Sequence, residues 1–255
     1  MTQQNTDRSN QDDPWNVALM QLSKWDPAWA EKCKKVTTAS WTNGILPRKT
    51  VELVRVALDA ASTTFSPDST RQRIQAALEA GANRDEILLV LKMASVMSIG
   101  VASMVVPFLL EEATESEMDA AAEGRAKDLK EAGGTPTVDS MKKNRRWNIA
   151  LDPIYDLAPV WTDQFMSIAA GIYSSAVLPI KDIELLGIAL EASYTRMYAS
   201  GMRRHIKNAL RAGATVEEIM TVLKLCIVHG VEACNVRIPI LAEQLAAHSS
   251  GDSNK

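Results

Sequence analysis

The chain has 255 residues, 46% of them hydrophobic and 23% charged, and a formal net charge of −3. That balance excludes a disordered chain and gives no electrostatic reason to bind nucleic acid or an anionic membrane. Cys33, Cys226 and Cys234 form no CxxC pair and residues 1–13 are polar rather than leader-like, so a cytoplasmic protein with reduced thiols is expected.

After that polar stretch the pattern is helical and no strand is expected. A segment over 28–41 leads to a helix opened by Pro47, because proline suits a first helical turn, where its missing N–H is not needed. The helix runs through Glu52–Ala61, and a loop at 63–69 is broken by Ser66-Pro67. The next helix stops at Gly81, where a left-handed residue is called for, and Asn83 with Glu86 spells a capping box. A long apolar helix from about Asp85 to Glu112 follows; Lys92, Gly100 and Pro107 interrupt it, so it is expected as a buried helix rather than a membrane span.

Residues Thr114–Asn144 are charged and then glycine-rich, which reads as a surface connection with one exposed helix. Beyond it the series repeats. A segment over 160–173, a helix opened by Pro179 through Glu184–Ser193, a loop at 195–201, a hairpin helix ending at Gly213, a Thr215/Glu218 capping box and a long helix over 217–244 are expected. The tail 248–255 is polar.

Met202–Val222 restates Thr70–Val90 at an interval of 132 residues, which separates Ile74 from Ile206, Gly81 from Gly213 and Glu86 from Glu218. Trp15-Asn16 and Trp147-Asn148, Leu46-Pro47 and Leu178-Pro179, Lys49 and Lys181, Glu52 and Glu184, and Pro107 and Pro239 keep the same interval. A constant interval without gaps predicts one duplicated helical unit. The expected organisation is a domain over 14–113, a linker over 114–145 and a second domain over 146–247, packed as a pseudo-two-fold pair.

The order LPxKxxEL, loop, helix ending in ALxAGA, capping box and long apolar helix resembles the carboxymuconolactone decarboxylase and alkylhydroperoxidase D superfamily. The resemblance covers 46–110 and 178–241 and implies an all-α fold of two tandem domains. The alkylhydroperoxidase branch places a Glu before CxxCxxxH. Here Glu184 and His205 match the Glu and His, while Tyr198 and Gly201 stand at the cysteine positions. In the upstream half Glu52 matches, Ser66 and Ser69 replace the cysteines, and Arg73 replaces the histidine. Peroxide reduction needs a thiolate and a resolving thiol, so the resemblance points to the cysteine-less decarboxylase branch, whose members act on small carboxylated lactones from aromatic breakdown.

The expected activity is cofactor-free acid–base catalysis, of decarboxylase, lactone-opening or isomerase type, on a small carboxylated metabolite. His205, at a pocket mouth, is the candidate general acid/base, since imidazole exchanges protons near neutrality. Glu184 is its candidate partner, with Tyr198 and His229 as further catalytic candidates. Tyr194, Arg73, Lys224 and Arg204 are candidate substrate-binding residues. Cys226, His229 and Cys234 on one helix are too few and too spread for a structural zinc site, so no metal and no cofactor are expected. The relatives' ring assemblies imply a homo-oligomer, with three copies of this chain making a pseudo-hexamer. The alternative from another class is a non-catalytic ligand-binding or assembly protein of the same fold, and a thiol peroxidase using Cys226 ranks last.

Overall fold

In the computed structural model, residues 14–61, 67–193, 196–231 and 234–252 are described; they form fourteen α-helices and two short 3-10 turns, with no strand among them. The upstream half comprises α1 (Pro14–Trp25), α2 (Pro27–Trp41), α3 (Arg48–Ala61), α4 (Pro67–Glu79), α5 (Arg84–Val96) and α6 (Gly100–Glu112). Helices α7 (Glu115–Ala132) and α8 (Pro136–Lys143) connect it to α9 (Asp152–Leu157), α10 (Pro159–Ser174), α11 (Ile180–Ala192), α12 (Ala199–Arg211), α13 (Val216–His229) and α14 (Cys234–Asp252).

The stops and starts fall where the residues demand them. Gly81 and Gly213 adopt φ of 89° and 88°, and both capping boxes form. The glutamate of each box also binds the lysine that follows the LP motif: Lys49 Nζ lies 2.7 Å from Glu86 Oε1, and Lys181 Nζ lies 2.8 Å from Glu218 Oε1. Each pair ties the start of one helix to the start of another, α3 to α5 and α11 to α13.

Helices α3 and α11 pack together at the centre and are buried almost all round, the charged Glu52, Arg55, Glu184 and Glu191 included. One apolar core runs through both halves, including Leu53, Leu58, Val90 and Met93 with Ile183, Leu186, Leu190 and Leu225. Further contacts between the halves are crossed: α1 lies against α14 and α6 against α9, while α13 lies against α2 and α10 against α5. A helix from either half therefore meets the other half in the same way, which is what two copies of one unit about an approximate two-fold axis would give.

Two expectations need correcting. Each long apolar helix is two helices: α5 and α6 are separated by a 3-10 turn at Met97–Ile99, and α13 ends at His229 before α14 begins at Cys234. The second piece of the first is not buried. Only 22% of the most apolar window within Arg84–Glu112 is inside the molecule, although the stretch is long and apolar enough by composition to cross a membrane. Past the turn at Gly100 the helix leaves the core and presents Val101, Met104, Val105, Phe108 and Leu109 outward.

The connection is also more than a surface strap. Its second helix, α8, packs on α10, with Val138 fully buried against Leu151 and Met166. Asp163 Oδ1 accepts from the Val138 N–H at 2.7 Å, filling an otherwise open donor at the start of α8. Thr135 Oγ1 lies 2.8 Å from Tyr155 Oη, and Lys142 Nζ sits 3.8 Å from the centre of the Tyr155 ring. These contacts fix α8 as one wall of the cavity described next.

Candidate active site

A cavity of about 660 Å³ opens where α5, α6, α8, α10, α11 and α12 meet. Met93, Val96, Met97 and Gly100 come from the upstream half, Met166, Ile172 and Tyr173 from α10, and Glu184 and Glu191 from α11. Arg145 and Arg146 follow α8, and α12 adds Arg204, Lys207, Asn208 and Arg211. The lining is thus an apolar wall, two acids and five cations, suited to an anion with an apolar body.

His205 lies directly behind this lining, with none of its surface exposed. Its Nδ1 is 2.7 Å from Glu184 Oε2, and its Nε2 is 3.0 Å from Arg204 Nη2. Guanidinium can only donate, so Nε2 accepts and the ring proton sits on Nδ1, donated to Glu184. Burial pulls the imidazole below its usual pKa; the bond to Glu184 opposes this and the nearby Arg204 charge adds to it. The ring is therefore a neutral base at pH 7 whose free lone pair is covered by one arginine. Asn208 Nδ2 reaches Glu184 Oε1 at a long 3.4 Å.

Comparison at the 132-residue interval shows how this arrangement is built. Upstream, Glu52 is paired within its own helix by Arg48 and by Arg55, whose Nη1 is 3.0 Å from Glu52 Oε2. Downstream, Ile180 and Gly187 stand at those two positions. A Cβ on Gly187 would lie 2.4 Å from His205 Nδ1, so the missing side chain is what admits the imidazole to Glu184. Arg204, Lys207 and Arg211 likewise stand where the upstream half has Gln72, Gln75 and Glu79, so α12 supplies cations that its counterpart α4 lacks at these positions.

The candidates from the sequence divide clearly. Glu184 and Arg204 line the cavity and meet His205, which is enclosed rather than at the pocket mouth. Tyr198 also lines the cavity, but its hydroxyl is 2.5 Å from Ser103 Oγ and its ring packs against Gly100 and Gly201, so it joins the halves more than it faces a ligand. His229, at the end of α13, Lys224, exposed on α13, and Arg73, buried on α4, are not among the lining residues: neither α13 nor α4 contributes to the cavity wall. Tyr194 lies outside the described residues. Cys226 is buried with its thiol pushed up to about 12 by loss of solvent, and its Sγ points at the Ala189 carbonyl, so it is a poor nucleophile.

Two titratable lining residues with strongly raised pKa values, Glu191 and Tyr173, are among those the sequence did not single out. Glu191 is 2% exposed, and burial raises its carboxyl to about 7 against the opposing charges of Arg196 and Arg204. Tyr173 is pushed up to about 12 by burial and by the Glu184 charge, against the opposing pull of the nearby Arg204 guanidinium. The signal for Glu191 was available at the same interval. Its counterpart Asp59 is held by Ser69 and Thr70 hydroxyls at 2.6 Å each, and Gly201 and Met202 stand where those hydroxyls would be.

No protein-family model matches the sequence, and no curated protein matches it. In structure the chain is similar to a protein of Burkholderia xenovorans LB400 described as a "putative gamma-carboxymuconolactone decarboxylase subunit". The two superpose with a TM-score of 0.73 at 25% identity over 93% of this chain and 99% of the other.

Proposed function

We propose that this chain, a member of the carboxymuconolactone decarboxylase and alkylhydroperoxidase D-like superfamily, is a cofactor-free acid–base enzyme acting on a small carboxylated metabolite. The observation that carries this reading is the neutral His205, bonded to Glu184 at 2.7 Å, behind a cavity lined by five cations. A carboxylated substrate enters against the Met93, Val96, Met97 and Ile172 wall, with its anionic end toward the arginines. Its charge draws the Arg204 guanidinium from His205 Nε2, leaving the base open only when substrate is present. Nε2 then takes a proton from the substrate, and Glu184 stabilises the imidazolium through Nδ1. In isomerisation the same nitrogen returns that proton to another carbon. In lactone opening the proton removed is instead that of an attacking water and passes to the leaving ring oxygen. In decarboxylation Nε2–H, reprotonated from solvent, delivers a proton to the carbon that has lost CO2.

The similar protein's name makes gamma-carboxymuconolactone the first compound to assay, followed by other small carboxylated lactones. His205→Ala is expected to lower turnover by about 10²–10⁴-fold with helical content unchanged, the usual range for loss of a positioned acid/base. Unchanged turnover in that variant would end the assignment. The complete enclosure of the imidazole also suits a second reading, a ligand-binding protein of this fold. Carboxylate binding without conversion of any lactone would favour it.

The exposed apolar residues of α6, with Ile240, Leu241 and Leu245 of α14, support assembly with further copies of this chain, and three copies would complete a pseudo-hexamer. Phe108 is 63% exposed at the centre of the α6 face, and Phe108→Glu should shift the sedimenting species to a smaller one. A wild-type chain that sediments as a monomer at all concentrations would rule assembly out.

A further inference from the structure

Three buried polar atoms on cavity-lining residues have no hydrogen-bond partner: Tyr173 Oη, Glu191 Oε2 and Arg204 Nε. A folded protein leaves few buried polar atoms unsatisfied, because each costs about 1–3 kcal/mol. Three around one cavity mark a place where a ligand supplies the missing partners. Neighbouring atoms reinforce this: Arg196, whose charge acts on Glu191, also leaves Nη1 unpaired.

Upstream, the carboxylate at the Glu191 position is complete, since Asp59 accepts from both Ser69 and Thr70. Downstream, glycine replaces the first of those residues, and a Cβ at Gly201 would lie 2.5 Å from Glu191 Oε1. The longer acid thus occupies space that a serine would fill, and one of its oxygens is left for something else. The groups acting on Glu191 are Arg196 from the loop before α12, Arg204 from α12, and Tyr173 from α10; Glu184 is two turns earlier on the same helix. Helices α5 and α6 offer it only apolar lining, with Met97 and Gly100.

We propose that Tyr173, Glu191 and Arg204 form a carboxylate-receiving subsite, in which Glu191 must carry a proton for the anion to enter. The inference rests on the acid–base reading above and adds the residues that select the substrate. The incoming carboxylate accepts from Tyr173 Oη–H and Arg204 Nε–H, and its second oxygen accepts from the Glu191 carboxyl O–H. Two ionised carboxylates in so dry a place repel, so one proton is shared between them. Above the range where Glu191 is protonated, the subsite rejects anions.

Benzoate is a suitable probe, because its ring fits the methionine-rich wall and it stays ionised at the pH values used. Calorimetric titration of the full chain with benzoate should show affinity falling about tenfold between pH 6 and pH 8, following a carboxyl that titrates near 7. Glu191→Gln, which always offers N–H donors, should bind at a similar affinity across that range. Tyr173→Phe should weaken binding at every pH and keep the slope. Wild-type affinity that is flat with pH, or a Glu191→Gln variant that retains the slope, overturns the subsite and leaves the His205 reading standing. If millimolar benzoate fails to bind at any pH, the carboxylate-substrate reading falls together with the subsite.

Discussion

Gly187→Ala is expected to disrupt the site without altering any charged residue. The added Cβ would sit 2.4–2.8 Å from three atoms of the His205 ring, which is packed on all sides and cannot swing away cheaply. Either the imidazole leaves Glu184 or α11 and α12 separate. Losing a buried hydrogen bond to a charged group costs about 1.5–3 kcal/mol, which in a chain of this size lowers the melting temperature by roughly 5–10 °C. Turnover should fall as far as in His205→Ala. Combining Gly187→Ala with His205→Ala distinguishes the cause. The ring is then absent, so the double variant should be more stable than the additive sum of the two single changes. Additive losses would mean that Gly187 matters for some reason other than room for the imidazole.

Glu191→Gln is expected to stabilise the protein, and only at higher pH. A buried carboxyl raised from 4.5 to about 7 binds its proton more tightly in the folded state than in the unfolded state. Its favourable contribution is complete below pH 4.5 and is lost as pH rises through 7. The glutamine does not titrate, so the gap between variant and wild type should open across that window and reach about 3 kcal/mol by pH 8. Melting curves at pH 4.5 and pH 8 measure it directly. A gap of equal size at both values would show that Glu191 is not held protonated by its surroundings.

Helix by helix, much of the fold was legible because its signals are local. Gly81 and Gly213 end helices by conformational necessity, and Asn83/Glu86 and Thr215/Glu218 satisfy donors that every helix start exposes. The break at Met97–Ile99 was hidden because Val96, Met97 and Ile99 continue the apolar pattern, and periodicity does not register a change of axis. Burial of α6 was overestimated for a related reason. Apolar composition says that a face avoids water, but not whether the chain itself or another molecule covers it.

The site divides along the same line. Glu184 and His205 were visible because the glutamate is kept at both Glu52 and Glu184 while a histidine stands at only one of the two positions, His205 against Arg73. Arg145 and Arg146 were not, since they sit at the end of a connection whose composition looks solvated, with Arg145 in a left-handed conformation at φ 55°. His229 was favoured by its residue type, but the helix end that carries it lies away from the cavity. Gly187 and Gly201 act through the side chains they lack, and that absence means something only once Arg55 on Glu52 and Ser69 on Asp59 are seen.

The ring nitrogens of His205 give the most direct reading of the central claim, that a buried neutral imidazole is held by Glu184 and uncovered by an anion. Nitrogen-resolved NMR of selectively labelled protein at pH 7 should find the proton on Nδ1, an unprotonated Nε2, and a shift of the Nε2 resonance when benzoate binds and Arg204 withdraws. A charged ring at pH 7, a proton on Nε2, or a ring that benzoate binding leaves unchanged would contradict it.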